Sequence, residues 1–201
     1  MYRTLSFLVV LLWCGLTLCA SPTVINFDGL NDGDSVTTQF AGVTFSNAAV
    51  LTAGISLNEL EFPPHSGNNV VFDSGGPMTI DFADPILSFG GYFTYAEPLS
   101  LDAFDPGNNL VDTANSAFGS NMALSGDPGS SPNEFIEVTF ASGISSVTIT
   151  GDPAGGSFVL DDATITPIGG SASVPEPVTS VPLAVAAIAL AALFRHRRGL
   201  C

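Results

Sequence analysis

The chain has 201 residues, with 19 Asp and Glu against only 4 Lys and Arg. All four basic residues sit at the ends (Arg3, Arg195, Arg197, Arg198), and every acid lies between Asp28 and Glu176. A phosphate backbone is gripped by Lys and Arg, so a middle region lacking both excludes nucleic acid as a partner. Cys14, Cys19 and Cys201 are terminal as well, which removes disulfides, thiolate metal sites and thiol nucleophiles from residues 21–177.

The first twenty residues, MYRTLSFLVVLLWCGLTLCA, place Arg3 before an apolar run and end in small residues. This order is that of a secretory signal peptide over 1–20, cleaved after Ala20. Leu18 is too bulky just ahead of Cys19 for a lipoprotein signal.

From residue 21 to 166 the chain is punctuated by Gly, Pro, Asn, Asp and Ser about every ten residues, with short apolar or alternating runs between. Strands are expected at Thr23–Phe27, Gly42–Ser46, Val70–Phe72, Met78–Phe82 and Ile86–Tyr95. Others are expected at Leu99–Phe104, Leu110–Thr113, Phe135–Phe140, Ser146–Thr150 and Phe158–Ile165. Met78, Ile80 and Phe82 share one face of their strand, as do Ile136, Val138 and Phe140. Thirteen of the fifteen phenylalanines fall between Phe27 and Phe158, enough bulk for a sandwich core. Asp84-Pro85, Asp105-Pro106, Asp127-Pro128 and Asp152-Pro153 each predict a turn, because proline fixes φ while the carboxylate caps nearby amides. Residues 115–133 predict a long loop. The pattern predicts an all-β fold, an antiparallel jelly-roll-like β-sandwich.

Catalytic chemistry finds little to work with in this region. His65 is the one histidine away from the ends, it follows Pro63-Pro64, and no GxSxG elbow accompanies it. It is expected to be exposed and without a role. Nineteen acids make carboxylate pairs inevitable, yet no Trp, Arg or Lys is present to hold a sugar or polarise a leaving group. No enzyme is expected; a glycan-acting enzyme is the remotest alternative. Tyr92 and Tyr95 are three apart and point to opposite faces of a strand, so a sugar-binding surface would rest on one tyrosine with Asn and Asp side chains. The segment Asn31-Asp32-Gly33-Asp34-Ser35 lacks the spacing and closing Glu of an EF-hand and predicts a solvated turn.

Residues 167–177 predict a flexible stalk. The uncharged run 178–194 spans roughly 25 Å as a helix, close to the hydrocarbon core of a bilayer, and predicts a transmembrane segment. The basic tail 195–201 would stay cytoplasmic and leave residues 21–177 outside.

Val174-Pro175-Glu176-Pro177, then an apolar segment, then Arg195, Arg197 and Arg198, resembles the PEP-CTERM sorting signal. The resemblance covers about 27 residues, with all three parts in order, and departs only in the Gly199-Leu200-Cys201 extension. It implies an exported bacterial cell-surface or extracellular-matrix protein. Its partner would be an exosortase-type membrane enzyme, and its setting biofilm or exopolysaccharide. It implies nothing about the activity of the middle region. There, FVLDDATI at Phe158–Ile165 resembles the last strand of galactose-binding-like carbohydrate modules. In those modules an acid near the first strand and an Asp of the last hold a structural calcium. The matching positions are Asp28 and Asp161 or Asp162, which makes calcium the one candidate cofactor and a calcium-dependent carbohydrate-binding module the alternative function. Asp161 and Asp162 are adjacent, so in a regular strand only one of them faces inward.

Overall fold

The computed structural model describes residues 21–169. The expected signal peptide, the sorting residues Pro175, Glu176, Pro177, Arg195, Arg197 and Arg198, and the expected membrane segment lie outside the described residues. Among the described residues no helix is long and apolar enough to cross a membrane.

Among the described residues there are nine strands: β1 (Thr23–Ile25), β2 (Val43–Ser46), β3 (Ala48–Thr52), β4 (Asn69–Asp73), β5 (Met78–Tyr95), β6 (Ser100–Phe104), β7 (Leu110–Asn115), β8 (Glu134–Thr150) and β9 (Phe158–Pro167). Every pairing between them is antiparallel, in the order β3-β4-β9-β5-β8-β6-β7, with β1 on β9 and β2 on β5. The architecture is the expected jelly-roll-like β-sandwich.

Two long strands join its layers. The first half of β5, Met78–Asp81, lies between β2 and residues 146–149 of β8. Its second half, from Ile86, lies between β9 and the first half of β8. Strand β8 changes partners likewise, since β6 pairs only with Ser146–Thr150. Register shifts between Asp81 and Ser88 mark the bend. The inward parity changes across it: Met78, Ile80 and Phe82 are buried before the bend, and Phe89, Phe93 and Tyr95 after it. Asp84-Pro85 therefore sits inside a strand and does not end one, contrary to expectation. Proline lacks the N–H a ladder needs, and a bulge is where a strand tolerates that loss.

The other three Asp-Pro pairs are turns, as expected. Asp105 Oδ1 accepts from the amides of Gly107 at 2.8 Å and Asn109 at 2.9 Å. Asp127 Oδ2 accepts from Gly119 at 2.8 Å, and Asp152 Oδ1 from Ala154 at 2.7 Å. The acidic segment 31–35 is a turn too: Asp34 Oδ2 accepts from the Asn31 amide at 2.9 Å, and Asp32 Oδ1 from that of Thr52 at 2.9 Å.

The core runs through both layers. Phe27, Phe40 and Phe45 meet edge to face, with centroids 5.7–6.2 Å apart. Phe82 meets Phe89 across the β5 bend, and Phe93 meets Phe158. Tyr95 is wholly buried. Its hydroxyl donates to Glu134, whose other oxygen accepts from the Ala117 amide at 3.0 Å, and this anchors the 116–133 loop. Burial and the adjacent Glu134 push the Tyr95 phenol up to about 12.

Candidate functional site

One segment of the β3–β4 connection, His65-Ser66-Gly67-Asn68-Asn69, is held by three carboxylates. Asp28 Oδ1 accepts from the amides of Asn68 at 2.9 Å and Asn69 at 3.2 Å. Asp161 Oδ2 accepts from the Ser66 amide at 2.8 Å, and its Oδ1 from the Asp162 amide at 2.7 Å. Asp162 bonds the Ser66 hydroxyl at 2.9 Å through Oδ1 and His65 Nδ1 at 2.7 Å through Oδ2. These are the three acids that the sequence singled out for calcium, and they do meet around one segment. As arranged, five of their six oxygens accept from donors of the chain, and Asp28 Oδ2 does not. Among the described residues no group of three or more His, Cys, Asp or Glu is placed to hold a metal ion.

Both neighbouring aspartates reach the same segment, which a regular strand forbids. The reason is a bulge. Pairing of β5 with β9 slips by one residue between Gly90 and Tyr92, and Asp162 takes the left-handed conformation at φ 46°. An extra residue in one strand turns its side chain relative to its neighbours, and aspartate tolerates positive φ better than most residues.

Gly67 completes the clamp. Its φ is +53°, and a Cβ there would lie 2.0 Å from Asp28 Oδ2. Gly67→Ala therefore displaces either the loop or the carboxylate, and is expected to lower stability by about 1–3 kcal/mol. A urea titration checks this; an unchanged midpoint would show that the clamp contributes nothing.

The clamped loop lays His65 on Tyr92. The two rings stack at 3.4 Å between centroids and 7° between planes. Tyr92 faces Phe135 directly across the β5–β8 ladder, with centroids 5.1 Å apart. Phe135 is 44% exposed, and the His65 side chain 36%. The result is a ledge of three rings on the outer face of the sheet. Gly90, opposite Glu137 in the ladder, makes room for it: a Cβ at position 90 would lie 2.8 Å from Phe135 Cζ and 3.1 Å from Glu137 Cβ. Behind the ledge, the Asn133 side-chain amide donates to the Pro63 carbonyl at 3.2 Å, joining the two loops that flank it.

Sequence reasoning placed one tyrosine of the Tyr92–Tyr95 pair outward, and Tyr92 is that residue. It missed His65 and Phe135. His65 was expected to have no role, yet it is stacked and bonded. The signal available was local: Pro63-Pro64 ahead of it stiffens the approach, and Ser66-Gly67 after it supplies a tight, clampable turn.

Asp161 combines burial with a carboxyl pushed up to about 6, a pattern common among catalytic acids. Here burial is the cause, with only 1% of the residue exposed and both oxygens engaged by amides. No reacting atom can reach it. Asp161 is a structural acceptor.

No family model matches the chain, and no curated protein does. Solved structures do resemble it. A DUF4465 family protein from Bacteroides caccae is 12% identical over 80% of this chain and 98% of its own, with a TM-score of 0.45. The K2 cleaved adhesin domain of Lys-gingipain is 16% identical over 73% of this chain and 98% of its own, at 0.44. A family 11 carbohydrate-binding module from Clostridium thermocellum is 13% identical over 75% and 98%, at 0.34. Likenesses of this order carry no argument about what the ledge binds.

Proposed function

We propose that this is an exported, non-catalytic surface module that binds a polysaccharide through the His65–Tyr92–Phe135 ledge. The observation that carries the proposal is the ledge itself. A partly exposed aromatic cluster, with His65 stacked on Tyr92 and Phe135 tilted 59° to it, is held by a clamped loop, with the carboxylate of Glu137 beside it. Pyranose rings offer an apolar face to such a surface and hydroxyl donors to its rim, and rings fixed in advance lose little entropy on binding. The address comes from the sequence. The signal peptide over 1–20 and the PEP-CTERM-like segment from Pro175 to Arg198 support export, recognition by an exosortase-type enzyme and residence at the cell surface or in the surrounding matrix.

Affinity electrophoresis and calorimetry on a panel of soluble polysaccharides test the proposal. Phe135→Ala removes an exposed ring, so the fold is retained while the ledge is shortened. Covering an apolar side chain of this size contributes about 1.5–3 kcal/mol, and half-exposed Phe135 is expected to lose roughly 10-fold in affinity on truncation. Binding that is indifferent to Phe135 and Tyr92 alike would remove the ledge from the function.

A further inference from the structure

The charged groups around the ledge are carboxylates, apart from His65, which is itself bonded to Asp162 at 2.7 Å. Glu137 lies two residues from Phe135 on the same face of β8, is exposed, and flanks the notch over Gly90. Asp162 stands behind His65 and takes its Nδ1. Glu134, the neighbour of Phe135, is spent on Tyr95 and Ala117, and Asp161 on the loop amides. No Lys or Arg occurs between residues 21 and 177 to answer a ligand carboxylate, sulfate or phosphate. Exposed rings beside an unpaired carboxylate form a cation-accepting arrangement, since the π face and the charge attract the same group. The excess of acid over the whole domain adds a long-range attraction of the same sign.

From this complementarity we infer that the ledge takes an amine-bearing glycan, a polymer of unacetylated amino sugars whose ammonium groups meet Glu137 and the exposed ring of Phe135. The inference rests on the proposed glycan-binding role and adds the chemical class of the sugar. Uronic-acid polymers are disfavoured, because their carboxylates find no Lys or Arg and meet Glu137.

The test uses the full chain in nonionic detergent, under mildly acidic conditions, with three short oligomers of matched length. These are glucosamine, N-acetylglucosamine and galacturonate. The glucosamine oligomer is expected to bind about tenfold more tightly than its acetylated counterpart, with an affinity that falls as sodium chloride rises. The galacturonate oligomer is expected not to bind. Phe135→Ala should weaken glucosamine binding, and Glu137→Gln should shrink the preference over the acetylated form. If the acetylated oligomer binds as well or better, and still needs Phe135, the amine inference is overturned while the glycan-binding role stands. Glucosamine binding that survives Phe135→Ala unchanged would be diffuse charge attraction and overturns both. Absence of binding in all three arms overturns the amine inference, and the polysaccharide panel then decides the glycan-binding role.

Discussion

Replacing Asp73 by alanine is expected to cost about 3–5 kcal/mol, the largest effect of any single carboxylate in the domain. Asp73 ends β4 with no exposed surface. Its Oδ1 accepts from the amides of Ser157 at 2.9 Å and Phe158 at 3.1 Å, and its Oδ2 from the Ser157 hydroxyl at 3.0 Å. Together these bonds fasten the β8–β9 connection to the end of β4. Alanine would strand three donors in a buried place, where each unmade bond carries its full desolvation penalty. In a domain of this size such a loss lowers the unfolding midpoint by roughly 10 °C. Asp73→Asn keeps one acceptor oxygen and should lose clearly less. Thermal and urea unfolding of the two variants side by side decide the matter. Equal losses would mean that the site needs the charge and not the acceptors, and a loss for alanine below about 1 kcal/mol would mean that water replaces the carboxylate.

The second large effect is on pH. Burial pushes the Asp161 carboxyl up to about 6 from an ordinary 3.8, and burial raises Asp73 as well. Between the unfolded and folded values the native state holds a proton that the unfolded chain has released. Stability in that window therefore falls as pH rises. The contribution is fully present below the unfolded value and lost as pH passes through about 6. For Asp161 the shift corresponds to about 2–3 kcal/mol. Protonation also relieves the repulsion among the many surface acids. The domain is thus expected to be more stable near pH 4 than near pH 7, the reverse of ordinary acid denaturation. At lower pH the trend turns. Asp105 is held below its usual range by bonds from Asn109 and Gly107, and the stability it contributes is lost as pH falls below the ordinary carboxylate value and through the lowered one. Urea midpoints across this span measure the curve, and Asp161→Asn should flatten its upper limb. A midpoint that climbs steadily toward neutral pH would contradict the assignment.

The sheet was legible where side chains alternate and turns announce themselves. All ten expected strands are present, four of them fused pairwise into two and six standing singly, because runs such as Met78-Thr79-Ile80-Asp81-Phe82 have one buried face and one polar face. The fusions of 78–82 with 86–95, and of 135–140 with 146–150, were hidden by residues that elsewhere end strands. Pro85 and Gly143 do so ordinarily, but here they bend strands that pass between layers. Strand β3 was missed for the opposite reason. Ala48-Ala49-Val50-Leu51-Thr52 alternates too weakly to stand out, and a single residue, Asn47 at φ 56°, separates it from β2.

The candidate site was half legible. Asp28, Asp161 and Asp162, which the resemblance to galactose-binding-like modules implies as calcium ligands, do converge, and a backbone segment of the protein meets them. Nothing in their sequence spacing distinguishes a bound cation from a row of amides, since both satisfy an inward carboxylate. The bulge at Asp162 was unreadable, because it arises from how β9 pairs with β5. The aromatic ledge was unreadable for the same kind of reason. His65, Tyr92 and Phe135 come from a loop and two strands, and only the ladder that sets Tyr92 opposite Phe135 brings them together.

Strand β1 pairs with β9, with Thr23 opposite Ile165 and Ile25 opposite Ala163. The opening strand of the domain thus has its partner almost a whole domain length away in the chain. Ordering β1 has to wait for that long loop to close, so its contact order is high and its closure entropy must be met before any reward arrives. Among the described residues β9 is also the only link between β4 and the centre of the sheet. A nascent chain that has not yet supplied residues 158–167 lacks the strand on which two others depend. The domain should consequently remain extensible until residues 158–167 have emerged, and then close late and cooperatively around β9.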